Sequence, residues 1–193
     1  FGAKVFGATF ITREWFRIRD EASIRGGRVI NISSIVGLHG NFGQEAYAMA
    51  NGALNALTKS LALDFGRRGI TVNAIAAAFV PGTNLAGNLP PEQLELNKTL
   101  TPLKDVKTRG GITLTTQDVA GMAFYFAGPD GDHVNGQILT LDGDFGTNHT
   151  AGPSLYMDNY RKVPRVALGI VESLTREDIE AIQADRKRRA GNV

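Results

Sequence analysis

The chain has 193 residues, 42% of them hydrophobic and 21% charged, ordinary proportions for a globular domain with a substantial core. Its net charge is only +2 and it contains no cysteine, which excludes disulfides, thiolate metal sites and a cysteine nucleophile. The basic excess is too small for a nucleic-acid face, and the longest apolar run, residues 70–80, contains Asn73 and is too short to span a bilayer.

The chain opens FGAKVFG, without an initiator methionine and inside a helical pattern, as a piece of a longer or processed protein would. Val5, Phe6, Phe10, Phe16 and Ile18 predict a largely buried helix over residues 4–18. The charged residues Arg13, Glu14, Arg17, Arg19, Asp20 and Glu21 follow the first apolar stretch directly, so no signal peptide is expected. RVINIS, residues 28–33, is β-branched and bounded by glycine, the pattern of a strand buried on both faces in a parallel sheet. A long helix is expected from about Gln44 to Phe65, with Ala50, Leu54, Leu57 and Leu61 among its apolar positions and Arg67-Arg68-Gly69 as its stop.

ITVNAIA, residues 70–76, reads as the second buried strand. Residues 80–116 form a Pro/Gly-rich connection with a short helical piece near PEQLELN, and connections this long are usually lids or binding loops. Residues 118–128 predict a helix opened by Thr116, and residues 136–143 a third buried strand. Helix and strand thus alternate over residues 1–149, the signature of a doubly wound α/β domain. Residues 150–193 read as an extension with an amphipathic helix, opened by a capping-box-like Thr175–Asp178 and ended near Gly191, its basic end complementing the helix dipole.

In this order and spacing, GGRVINISSIVG, YAMAN, RRGITVNAIAAAFV and VNGQILTLDGDFG resemble the C-terminal half of a short-chain dehydrogenase/reductase, over residues 4 to about 146. The resemblance implies a Rossmann-type doubly wound parallel sheet with helices on both faces, carrying NAD or NADP for hydride transfer between an alcohol and a carbonyl. The family's glycine-rich phosphate loop, T-G-x-x-x-G-x-G, does not occur in this sequence, so the N-terminal nucleotide-binding part is expected to be missing or disordered. The family's site uses Asn, Ser, Tyr and Lys, with the last two spaced Y-x-x-x-K. Ser34, thirteen residues before Tyr47, matches the serine, and Tyr47 matches the tyrosine. Asn51 stands at the lysine position and Lys4 at the asparagine position. The usual Pro-Gly beside the nicotinamide is Ala77-Ala78. By resemblance, Ala77, Ala78, Val80 and Thr83 join Tyr47 and Asn51 in facing the cofactor, and residues 82–116 cover the substrate. The helices at 4–18 and 44–65 are implied as the pairing surface of a dimer or tetramer, with a homologue or a second copy.

Residues 47 and 51 lie one turn apart on one helical face. A lysine at 51 would pull the tyrosine pKa from about 10 toward neutrality, where a general acid/base works. A drop of about three units corresponds to about 4 kcal/mol, a Coulomb contribution that neutral Asn51 cannot make. Three readings follow. The chain is a non-catalytic subunit, with no cofactor of its own, that stabilises an active partner in an NAD(P)-dependent alcohol or hydroxyacyl(-CoA) dehydrogenase. Or it is active, with Lys4 supplying the missing charge. Or it uses Ser34 and Tyr47 without redox chemistry, as the halohydrin dehalogenases do. Taken singly, Ser34 is as readily a turn cap and Tyr47 a rim aromatic. His39, His133 and His149 lack ligand spacing, and Asp142-Gly143-Asp144 lacks the later Glu of a calcium loop, so no metal is expected. A cytoplasmic protein acting on a small molecule, away from nucleic acid and membrane, is expected.

Overall fold

The strand Ile70–Ala77 (β2) is buried at every residue, as its run of β-branched and small apolar side chains requires. Its one amide, Asn73, is satisfied within the fold: Nδ2 donates to the Val134 carbonyl at 2.7 Å, and Oδ1 accepts from Gln137 N at 3.0 Å. Gly27–Ser34 (β1) pairs in parallel along one edge of β2, from Gly27 opposite Ile70 to Ser34 opposite Ala77. Ile138–Leu141 (β3) pairs in parallel along the other, giving the order β1-β2-β3. These come from a computed structural model that describes residues 1–41, 43–83, 101–105 and 114–143, all within one compact unit, Phe1–Ala151.

Parallel neighbours need crossovers, and helices supply them. Ala8–Glu21 (α1), preceded by a π-helical turn Gly2–Gly7, leads into β1. After β1 come a single turn, Val36–His39 (α2), and the long helix Glu45–Phe65 (α3), which connects to β2. Thr116–Ala127 (α4) precedes β3. The buried positions of α3, among them Ala50, Leu54, Thr58 and Ala62, recur at helical spacing and make one face. The helix runs into a turn, Gly66–Arg68, and Gly69 closes it at φ 74°, a left-handed conformation that glycine adopts without a Cβ clash.

Strand alternation decides which side each helix covers. Asn31 of β1 donates to Thr58 of α3 at 2.9 Å, so the Asn31 face of the sheet lies under α3. Val72 shares that face and forms a core cluster with Phe16 of α1, Ala62 of α3 and Ile70. Ile75 points the other way and is also fully buried. There α4, which packs on β1 and β2 and carries the fully buried Phe126, covers part of the second face. The result is a Rossmann-like α/β arrangement with helices on both faces.

Four details depart from the sequence pattern. Only Thr12 and Phe16 of α1 are buried, whereas Phe6, Phe10 and Ile18 are 54%, 60% and 53% exposed. That apolar face has nothing packed over it among the described residues. β1 leaves Ile32 46% exposed, because it stands at the edge of the sheet among the described residues. β3 is short and half-exposed, at the other edge of the sheet among the described residues. Thr115, one residue earlier than expected, caps α4 through a capping box with Asp118. The helical piece near PEQLELN, the remainder of the 80–116 connection apart from residues 80–83, 101–105 and 114–116, and the 150–193 extension lie outside the described residues. No helix among the described residues is long and apolar enough to cross a membrane.

Candidate active site at the carboxyl end of the sheet

Parallel strands finish together, and the residues that end these three are in register: Ser34 opposite Ala77, and Ala77 opposite Leu141. Ala78 N donates to the Leu141 carbonyl at 3.0 Å, which holds the chain leaving β2 against β3. Val80 and Thr83 follow in the same turn, where the Thr83 hydroxyl donates to the Val80 carbonyl at 3.0 Å. This edge of an α/β sheet is where such folds place ligands. Four of the expected site residues, Ser34, Ala77, Ala78 and Val80, are therefore gathered there, with Thr83 close behind.

Ser34 is buried, and its Oγ accepts from Val36 N at 3.2 Å, so it caps the turn that opens α2. Tyr47 sits half-exposed in the first turns of α3, and its hydroxyl has no hydrogen-bond partner among the described residues. One turn on, Asn51 is 0% exposed. Its Nδ2 donates back to the Tyr47 carbonyl at 2.9 Å, while Oδ1 has no partner among the described residues. The cover over Asn51 is Gly37 of α2: a Cβ added there would lie 2.6 Å from Asn51 Cβ and 2.7 Å from its carbonyl carbon. Only glycine permits so close an approach of α2 to α3.

Lys4 does not stand free in the site. Its ammonium donates to the Ile32 carbonyl at 2.9 Å, on the outer edge of β1, two residues before Ser34. Partial burial lowers the Lys4 pKa from its usual 10.5 by disfavouring the charged form. The structure thus brings Lys4 to the backbone of β1, and Asn51 into the packing between α2 and α3.

Beneath the site lies a polar seam that sequence reading missed. Ser33 Oγ donates to Asn55 Oδ1 at 2.7 Å, and Asn55 Nδ2 donates to the Gly37 carbonyl at 3.4 Å. Farther down, Thr58 accepts from Asn31 and donates to the Leu54 carbonyl at 2.8 Å. The signal was present as two matching periods: polar 31 and 33 at strand spacing, and polar 51, 55 and 58 at helical spacing. Their match fixes how α3 sits on β1, and so where Tyr47 stands.

Asn51 is fully covered and donates one amide N–H to the Tyr47 carbonyl. Among the described residues no group of three or more His, Asp or Glu could hold a metal ion.

The family model described as enoyl-(acyl carrier protein) reductase, of the short-chain alcohol dehydrogenase type, matches residues 2–145. The 3-oxoacyl-(acyl-carrier-protein) reductase of Rickettsia felis is 36% identical over 119 residues, covering 62% of this chain and 46% of that protein. The enzyme of the same name from Pseudomonas aeruginosa is 34% identical over 126 residues, 65% and 48% of the two chains. That from Thermotoga maritima is 32% identical over 119 residues, 62% and 45%. This chain thus spans about half the length of the curated relatives it matches.

Proposed function

We propose, for a chain that belongs to the short-chain dehydrogenase/reductase family, that it is a non-catalytic or weakly catalytic subunit of an NAD(P)-dependent oxidoreductase acting on an alcohol or hydroxyacyl thioester. The observation that carries this is the state of Asn51. It is neutral, fully buried and covered by Gly37, so the turn after Tyr47 places no cation beside the phenol. The 3-oxoacyl thioester class comes from the names of the relatives. A cytoplasmic setting accords with that soluble chemistry.

The pairing surface is the exposed apolar face of the first helices. Phe6 and Phe10 stack with ring centroids 6.3 Å apart and stand more than half exposed, as does Met49 of α3. A cluster of this kind, left open on the monomer, suits association with a homologous or identical chain. One observation favours a second reading, an active enzyme with Lys4 as the cation: the ammonium is anchored on β1 beside the segment that ends in Ser34. Nothing of comparable weight favours the dehalogenase reading.

Calorimetric titration of the protein alone with NAD(H) and NADP(H), with turnover of a 3-oxoacyl thioester measured in parallel, tests the proposal. No micromolar binding and no turnover are expected of the protein alone, and native mass spectrometry of the protein taken from its source should show a heteromer. Micromolar binding with turnover that Lys4→Met abolishes would overturn the subunit reading in favour of the second.

A further inference from the structure

Lys4 belongs to the π-helical turn Gly2–Gly7, which packs on α3. Its ammonium reaches the Ile32 carbonyl, 28 positions away in sequence, and that bond lies at the molecular surface rather than in the core. Phe6, two positions on, stands on the other side of the turn. Pairing through the apolar face that Phe6 carries therefore does not require covering Lys4.

A lysine normally keeps its charged head in water, or sets it against a carboxylate. Lys4 does neither. Among the described residues no Asp or Glu forms an ion pair with it. Its contact is a neutral carbonyl, which accepts an N–H from either protonation state. A carboxylate would favour the ammonium by Coulomb attraction. Without one, partial burial acts alone and lowers the Lys4 pKa below 10.5, which raises the share of neutral amine. The neutral amine gives one N–H to the carbonyl and turns its lone pair away from that oxygen, where it can attack an electrophile.

We propose that Lys4 is an acylation site that takes an acyl group from a thioester. The Nζ lone pair bonds to the thioester carbonyl carbon, the carbon–sulfur bond breaks, and the departing thiolate takes the proton that nitrogen loses. The products are an amide and a free thiol, with no other reactant. The amide nitrogen keeps one N–H, so it can still donate to the Ile32 carbonyl and the fold need not open. Acylation also removes the positive charge on which the second reading of the active site depends. The choice of a thioester as donor rests on the proposed function, whereas the reactivity of the amine does not.

The test acylates the full chain at neutral pH with the N-acetylcysteamine thioester of 3-oxobutanoate, and reads each lysine by proteolysis and mass spectrometry. Lys59, exposed on α3, is the reference within the same molecule. Lys4 is expected to react several-fold faster than Lys59 in the folded protein and at the same rate in urea. Equal rates in the folded protein would overturn the proposal, as would a preference that survives in urea, where the contact with Ile32 is gone. Trace labelling with acetic anhydride across pH then reads the amine itself, and Lys4 reactivity should level off below pH 10.5. Levelling at or above that value would overturn the proposal even if the thioester reacts. No transfer from the thioester would overturn it too, whatever the titration with NAD(H) and NADP(H) shows, so the two failures are told apart.

Discussion

Ile32 of β1 and Ile75 of β2 are register partners on one face of the sheet, yet Ile75 is fully buried and Ile32 is 46% exposed. The two strands have the same length, direction and β-branched character. What separates them is the neighbourhood: β2 has a strand on each side, whereas β1 ends the described sheet. Side-chain type therefore states what a strand can bury, and only its neighbours decide what it does bury. An eight-residue edge with apolar side chains and no proline is also one that another strand can join.

Mutating the pair measures the difference. Ile75→Ala should cost about 2–5 kcal/mol, the usual range for emptying a filled core site. Ile32→Ala should cost less than half as much, in denaturant melts of the two variants. Equal costs would mean that something covers β1 in solution, and the edge would then count as an occupied interface.

The same contrast recurs one helical turn apart on α3. Tyr47 is half-exposed, whereas Asn51 is wholly covered. Asn51→Lys would force an ammonium into the space that Gly37 closes, so a loss of about 3 kcal/mol is expected, with no oxidoreductase activity gained. Tyr47→Phe should change stability by less than about 0.5 kcal/mol. Activity appearing in Asn51→Lys would show that α2 yields and that the remaining site is competent, which would shift the proposed role toward catalysis. Below them, Ser33→Ala removes the donor to buried Asn55 Oδ1 and should cost about 1–3 kcal/mol, read from the same melts.

How far these features could be read from the sequence follows the same logic. The strands and α3 were legible because their signals are local: β-branched runs, helical spacing and a glycine stop after Arg68. The gathering of Ser34, Ala77 and Val80 at one edge also followed, since parallel strands end together. The burial of Asn51 was not legible, because it depends on Gly37, which α2 brings across from fourteen positions earlier. Lys4 was expected near the site, but its bond to the Ile32 carbonyl depends on β1 having no further strand beside it there among the described residues. The exposed face of α1 was misread for the same reason. Phe6 and Phe10 have the residue type of a core, and the described fold packs nothing over them.

The smallest expected effect tests a covered and an uncovered end of one helix. The first turn of α4 is closed by Thr115, whose backbone N and hydroxyl donate to Asp118 Oδ2 at 2.8 and 2.6 Å. Its Oγ1 also accepts from Asp118 N at 3.3 Å. The last turn of α4 has no side chain in that role, and Gly128 N simply donates to the Phe124 carbonyl at 2.9 Å. Thr115→Ala should therefore cost about 1 kcal/mol, whereas a substitution at exposed Ala127 should be close to neutral. The cap also sets a pH dependence. Chiefly through the Thr115 hydroxyl, and then its backbone N–H, the Asp118 carboxylate is held below its usual pKa of 3.8. A depressed folded pKa adds stability above the unfolded value, which is lost as pH falls through the folded one. Solvent screening keeps this contribution under about 1 kcal/mol. Removing the cap should thus flatten the stability curve below pH 3.8 while leaving its neutral-to-alkaline limb parallel to that of the parent protein. An unchanged acid limb in Thr115→Ala would mean that the carboxylate owes its low pKa to the helix amino end alone, with the hydroxyl serving only as a geometric stop.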